Sequence, residues 1–309
     1  MGRMDIQYVI IGVTGWLGRA TFDFIKRTHM AISPDLIVPF ASSECSLTLE
    51  NGEKVFVHAL DKIKEFKPAK PVIIFHYAFC TKDKLAGLDH EQYRKANFLI
   101  REKVDYALKN WDIVGAVLSS SGAVHYHLSN TRSSDSLSLY GKGKLEDEEF
   151  FLELSQKMKF RMVMPRIFNL SGHYINKLNL YALSAILMNC LREKDIVLQA
   201  NHPVWRSYYG VNDLIELLIS ILGDPDEVPS IFDVAGLEVT EISELAFRCR
   251  QLVGRESLRV IRPFVNPEPN NFYVGNPQII RKLEERYQIV PSSLDHQILT
   301  TANYLKKQL

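Results

Sequence analysis

The chain has 309 residues, enough to bury one large core or two smaller ones. Apolar residues make up 46% and charged residues 24%, and a net charge of +1 gives no general attraction to nucleic acid or to an anionic membrane. No apolar run reaches a membrane-spanning length, since 180–191 is short and interrupted by Ser184 and Asn189, and the amino terminus lacks the apolar core of a signal peptide. Cys45, Cys80, Cys190 and Cys249 are scattered without C-x-x-C or Cys/His spacing. They read as buried free thiols in a reducing compartment, with no metal site, and the cytoplasm is the expected location.

Residues 8–11 form a β-favouring apolar run that leads straight into Gly12, Gly15 and Gly18. Leu17, Thr21, Phe24 and Ile25 then recur at helical spacing, so the stretch predicts strand, tight turn and helix. Such a turn lets backbone N–H groups approach a pyrophosphate at a helix N-terminus. An ordinary strand–helix turn is the other reading. Residues 35–40, 54–57 and 71–76 predict the next three strands. Residues 91–110 predict a helix with Tyr93, Ala96, Asn97, Ile100, Val104 and Ala107 on one face. A fifth strand, 113–118, ends in Ser119-Ser120-Ser121; a helix over 140–157 and a sixth strand over 160–164 follow. Strands alternating with helices imply a doubly wound α/β domain with a parallel sheet, whose ligands bind beyond the carboxyl ends of the strands.

Past residue 170 the texture changes. Residues 178–191 and 213–222 read as helices, 205–209 as extended and 231–234 as a strand. Thr240 is the candidate cap of a helix through 246–253, the Pro- and Asn-rich stretch 262–277 reads as loop, and Asn276-Pro277 offers a cap and first-turn proline to a helix through 283. The expected organisation is a dinucleotide domain over 1–172, with 206–237 returning to it, and a smaller, mostly helical substrate lobe over 173–205 and 238–309. The ligand is expected in the cleft between them.

Tyr140 and Lys144 are four apart on a helix, so both project from one face. An ammonium beside a phenol favours the phenolate, and a tyrosine tuned in this way gives or takes a proton near neutral pH. Among thirteen tyrosines, one such pair is also about what chance supplies. Residues 146–149 read as a solvated helix face. Ser121, at the end of the fifth strand, suits hydrogen bonding to a carbonyl or alkoxide oxygen; a polar strand-end turn is the plainer reading. No Ser–His–acid set with G-x-S-x-G context is present, which makes a hydrolase reading poor.

The order Gly12-x-x-Gly15-x-x-Gly18, Ser119-Ser120-Ser121-Gly-Ala-Val-His-Tyr126 and Tyr140-x-x-x-Lys144 resembles the extended short-chain dehydrogenase/reductase family. This is the NAD-dependent epimerase/dehydratase group that acts on nucleotide sugars. His76-Tyr77-Ala78, Asn97, Arg166-x-Phe168-Asn169-x-x-Gly172 and the run from Arg206 to Asp213 extend the likeness over nearly the whole chain. The resemblance implies a Rossmann domain in which Tyr140 is the acid/base, Lys144 its pKa partner and a ribose contact, and Ser121 the group that positions the substrate oxygen. It implies a dinucleotide held by Gly12, Thr14, Gly15, Trp16, Leu17, Gly18, Arg19, Ser42, Ser43, Leu60, Tyr77, Ala78, Phe79, Asn97 and Ser119, together with Tyr140 and Lys144. Asn169 would lie near the sugar, or be a buried turn-satisfying amide. Arg206 would meet the diphosphate of a nucleotide sugar, or be an ordinary surface ion pair. A homodimer is also implied, paired through the Tyr/Lys helix and the one before it. Phe98, Val104, Leu108, Phe150 and Phe151 would supply its apolar surface or pack within the monomer.

Departures from the pattern bear on the cofactor. Ala59-Leu60 stands where the family carries Asp-Leu, and Val124-His125-Tyr126 where it carries V-Y-G. An NAD enzyme places an acid at the end of strand two, but Asp35 begins that strand. Ala41-Ser42-Ser43 follow it instead and accept a 2′-phosphate without repulsion, with Arg19 as a source of positive charge. NADP is therefore expected over NAD, which favours a cofactor that arrives reduced and leaves oxidised. The reading is an NADPH-dependent ketoreductase of a nucleotide-linked 4-keto-6-deoxy sugar. A nucleotide-sugar 4-epimerase with tightly bound NAD is the alternative, and a non-catalytic dinucleotide-sensing relative is a third.

Overall fold

In the computed structural model, which describes residues 6–28, 36–81, 89–129, 135–224 and 226–309, the first apolar run forms a strand buried along its whole length, β1 (Gln7–Ile11). It is followed by α1 (Trp16–Thr28), β2 (Ile37–Ala41), β3 (Cys45–Thr48), β4 (Lys54–Ala59), β5 (Val72–His76) and α2 (His90–Asn110). Then come β6 (Ile113–Leu118), β7 (Ser120–Ser121), α3 (Ala123–Leu128), α4 (Asp135–Met158) and β8 (Arg161–Ile167). The second half holds β9 (Leu170–Ser171), α5 (Ala182–Leu191), β10 (Ile196–Val197), β11 (Val204–Ser207), β12 (Tyr209–Gly210), α6 (Val211–Gly223) and β13 (Ile231–Val234). It closes with β14 (Val239–Glu241), α7 (Ile242–Leu252), β15 (Val260–Ile261), β16 (Asn271–Tyr273), α8 (Gln278–Tyr287) and α9 (Leu294–Lys306).

The main sheet has the order β13-β8-β6-β5-β1-β2-β4-β3, with β7 paired to β8. Every pair from β4 through β2, β1, β5 and β6 to β8 is parallel, so this is the doubly wound α/β architecture that the alternation predicts. β1, β2 and β5 are buried at every position, which is why they read as continuous apolar runs and not as alternating ones. The chain winds outward from β1 to β2 and β4, then crosses back to β5 on the other side of β1. The reversal falls between β1 and β5, and their carboxyl ends at Ile11 and His76 border the crevice where ligands of such sheets bind. β3, which the sequence pattern did not single out, lies antiparallel on β4 as a half-exposed edge strand. Asp35 lies outside the described residues.

In the first unit two helix readings change. α4 begins at Asp135, so Tyr140 sits in its second turn and not at its start. The 146–149 stretch is not a solvated face: Asp147 and Glu148 are buried, because α4 packs against α2 and α3 on that side. Val104, Leu108 and Phe151 are spent on the core under the sheet, whereas Phe98 is 53% and Leu99 43% exposed.

The chain divides into two compact units, Met1–Arg166 with Leu218–Phe232, and Ile167–Leu217 with Asp233–Leu309. In the second unit α5, α7 and α9 pack together, and β11 pairs antiparallel with β14 and parallel with β16. β16 falls inside the stretch read as loop; its three residues are held as a strand by the edge of β11. Thr240 belongs to β14, and the α7 cap is Glu241, whose carboxylate accepts from Ser243 N at 2.8 Å. The α8 cap position is Pro277, one residue later than expected, and Asn276 before it accepts from Gln278 N at 3.0 Å. α5 starts at Ala182, four residues later than expected, because residues 178–181 form a turn whose carbonyls at 178 and 181 take the Ser184 hydroxyl. Among the described residues, no helix is long and apolar enough to cross a membrane.

Candidate active site

The three glycines of the first turn answer three separate constraints. Gly12 has φ +92°, and a Cβ there would stand 2.6 Å from Ala78 N, so the turn after β1 lies directly on the chain leaving β5. A Cβ at Gly18 would fall 2.3 Å from Gly12 O, which brings the first turn of α1 onto the loop. Gly15 is exposed, and among the described residues its missing Cβ faces only Gly12 O, at 3.3 Å. Thr14 is exposed beside it, and Trp16 and Leu17 are half-buried at the α1 N-terminus. This cradle, closed by backbone and open over Thr14 and Gly15, fits a dinucleotide diphosphate.

The loop after β5 is tied down from both sides. Thr21 of α1 donates to the Tyr77 hydroxyl at 3.1 Å, and Asn97 of α2 accepts from Cys80 N at 2.7 Å. Burial pushes the Tyr77 phenol above its ordinary range, so it serves as a neutral strut. Ala78 and Phe79 lie between these anchors.

On α4, Tyr140 and Lys144 both meet Phe79. The Tyr140 and Phe79 ring centroids are 5.6 Å apart at 82°, and Lys144 Nζ stands 4.0 Å from the Phe79 centroid. Nζ also donates to the Ser119 carbonyl at 2.7 Å, which ties the helix to the carboxyl end of β6. Burial lowers the Lys144 amine to about 8, while Asp147 and Glu148 oppose that shift. Gly141 has no room for a side chain, since a Cβ would come within 2.3 Å of Ala123 O; α3 is thereby pressed onto α4. Ser121, buried in β7, accepts from Ala123 N at 3.2 Å at the start of that same helix. The serine, the tyrosine and the lysine are thus carried by elements in direct backbone contact.

Below the lysine lies a charge cluster that sequence reasoning missed. Glu148 takes a two-pronged contact from Arg166 and a hydrogen bond from the Ser120 hydroxyl. Asp147 accepts from Arg101 Nε at 2.7 Å; burial nonetheless raises its carboxyl above the ordinary value. His76, at the end of β5, is buried, its Nδ1 has no hydrogen-bond partner among the described residues, and burial with the nearby Lys144 charge lowers it to about 3, so it is neutral. The signal was present: 140, 144, 147 and 148 recur at one helix face.

At the end of β2, Ser42 and Ser43 are exposed, and the next acid, Glu44, is paired with Lys62 at 2.8 Å. Arg19 donates to the Thr48 carbonyl of β3, and Leu60 is buried in the turn after β4. A groove of about 330 Å³ lined by Gln7, Phe22, Ile37 and Lys54 opens at the amino-terminal ends of β1, β2 and β4.

Asn169 and Arg206 belong to the second unit, where both converge on Tyr273. The Asn169 amide donates to the carbonyls of Ser207 at 3.0 Å and Tyr273 at 3.3 Å. Arg206 stands 5.8 Å from the Tyr273 ring centroid and donates to Asn271 Oδ1 at 3.0 Å. Buried Gln297 and Thr301 of α9 pin the same loop, through Ser171 and Gly172 N. Tyr273 and Asn271 carried no sequence signal, because their strand is defined only by its partner.

Residues 8–235 match the family model described as NAD dependent epimerase/dehydratase family. No curated protein matches the chain in sequence. Among solved structures, UDP-N-acetylglucosamine 4-epimerase from Methanobrevibacter ruminantium, in complex with UDP-N-acetylmuramic acid, is similar with a TM-score of 0.78 at 16% identity, over 98% of this chain and 99% of that one. RMD from Pseudomonas aeruginosa, complexed with NADPH, gives 0.72 at 18%, over 98% and 100%. UDP-glucose 4-epimerase from Thermus thermophilus, in complex with NAD, gives 0.71 at 16%, over 98% and 100%. At these identities the likeness is one of fold.

Proposed function

Because the chain belongs to the NAD dependent epimerase/dehydratase family, the extended short-chain dehydrogenase/reductases, we propose that it is an NADPH-dependent ketoreductase of a nucleotide-linked 4-keto-6-deoxy sugar. The observation that carries the choice is the end of β2. Two exposed serines stand where an NAD enzyme needs an acid, and the next acid along the chain, Glu44, is already engaged by Lys62. A 2′-phosphate meets no repulsion there.

A reduced nicotinamide, when bound, supplies the hydride to the carbonyl carbon. Tyr140 gives its phenolic proton to the carbonyl oxygen, so that C=O becomes CH–OH, and regains a proton from solvent. Ser121 donates a hydrogen bond to the same oxygen. Lys144, fixed by the Ser119 carbonyl, favours the phenolate left behind and eases the transfer. In the second unit, Arg206 and Asn169 would meet the diphosphate and sugar, as a guanidinium fork suits a diphosphate.

The test is a panel of nucleotide-linked 4-keto sugars, with NADPH and NADH absorbance followed separately. Consumption of NADPH in preference to NADH supports the reading; NAD retained through purification, with turnover independent of added reductant, establishes the 4-epimerase instead. Pairing with a second copy through α2 and α4 would rest on Phe98 and Leu99, since Val104, Leu108 and Phe151 are already buried.

A further inference from the structure

Phe79 is half-buried in the loop after β5, and three residues of α4 meet its ring. Its face carries the Lys144 ammonium at 4.0 Å and its ring meets Tyr140 edge-on. Gly143, between those two residues on α4, would place a Cβ 3.2 Å from Phe79 Cζ, so the ring occupies space that a side chain there would contest. On α2, Tyr93 makes a further edge contact, with centroids 6.4 Å apart. The backbone just beyond is fixed by Asn97 through Cys80 N.

We propose that Phe79 is a positioning residue for the Tyr140–Lys144 pair: its face holds the ammonium against the Ser119 carbonyl, its edge orients the phenol, and Gly143 makes the room. The ring quadrupole attracts a cation over its face, and more strongly where water is excluded. Lys144 is buried, and among the described residues Nζ meets one carbonyl oxygen, that of Ser119, and the face of Phe79. The charged and titratable groups around it are Asp147 and Glu148 on α4, His76 at the end of β5 and Tyr140 itself. Arg101 of α2 and Arg166 of β8 engage the two carboxylates. All of these remain when Phe79 is changed. The inference rests on the reading that this pair moves the substrate proton.

The experiment compares Phe79→Leu, which keeps apolar volume but has no ring, with Phe79→Tyr, which restores it; Phe79→Met replaces the leucine variant if that one does not fold. Lys144 is titrated directly by NMR of the lysine-labelled, cofactor-free protein, with its resonance assigned by Lys144→Met. In Phe79→Leu the midpoint is expected to fall by roughly half to one pH unit, and in Phe79→Tyr to return to the wild-type value. In turnover assays the basic limb of the kcat profile should move the same way, with the KM for substrate nearly unchanged. A Lys144 midpoint equal to wild type in Phe79→Leu, or one that Phe79→Tyr leaves displaced, overturns the inference. If wild type reduces no keto sugar, the catalytic reading falls, while the titration still decides the role of Phe79.

Discussion

Arg166 grips Glu148 with two parallel hydrogen bonds, Nε to Oε1 at 2.9 Å and Nη2 to Oε2 at 2.6 Å, and the carboxylate is 1% exposed. The pair joins the carboxyl end of β8 to the helix that bears Tyr140 and Lys144, and through the Ser120 hydroxyl it also reaches β7. Removing the carboxylate leaves Arg166 charged with its side chain only 15% exposed. Glu148→Ala is therefore expected to lower stability by about 3–5 kcal/mol, read as a drop in the urea midpoint at unchanged slope. A loss under about 1 kcal/mol would show that the pair is solvated.

The Lys144 amine titrates lower in the folded protein than in the unfolded chain, at about 8 against 10.5. Between those values the unfolded chain binds a proton that the folded one has released, so stability rises with pH through this window and the gain is lost again as pH falls toward 8. Against Lys144→Met, the cofactor-free wild type should gain stability from pH 8 to pH 10, measured as the difference in urea midpoints. A flat difference would mean that the amine is solvated.

Tyr140→Phe keeps the ring against Phe79 and removes only the hydroxyl. We expect kcat/KM for ketone reduction to fall by about 10²–10⁴ while the dinucleotide dissociation constant stays within about threefold. Full activity in this variant would remove the phenol from the proton path.

Gly12→Ala must accept both a left-handed backbone and a 2.6 Å approach to Ala78 N, and Gly18→Ala a 2.3 Å approach to Gly12 O. Each is expected to cost about 2–4 kcal/mol and to abolish dinucleotide binding, followed by thermal unfolding and fluorescence titration. Gly223, at the end of α6, has nothing among the described residues within 4 Å of its missing Cβ, so Gly223→Ala should be neutral or stabilise by up to about 1 kcal/mol.

Ser42→Asp places a carboxylate beyond the end of β2. The ratio of kcat/KM for NADPH over NADH should fall by at least about tenfold, because the new charge repels a 2′-phosphate and accepts ribose hydroxyls. An unchanged ratio would move the cofactor choice to other residues.

Most of the first unit was legible because its strands are buried on both faces and its motifs are local. The β1 turn, the serines after β6 and the Tyr140–Lys144 spacing each announce themselves within a few residues. What stayed hidden depends on partners distant in the chain. β16 is three residues that become a strand only beside β11, and Tyr273 gains meaning only where Asn169 and Arg206 meet it. Asp147 and Glu148 were misread for a different reason: an acidic run suggests solvent, whereas arginines from α2 and β8 neutralise it in the interior. Their spacing from Lys144 was the better guide.

Gly141 has a consequence for how such a site changes over time. With its α-carbon set against the Ala123 carbonyl, neither helix slides without dragging the other. A bulkier residue on the inner side of α3 therefore displaces the phenol it never touches, and reactivity is open to adjustment by drift in a neighbouring segment while every reacting group stays the same.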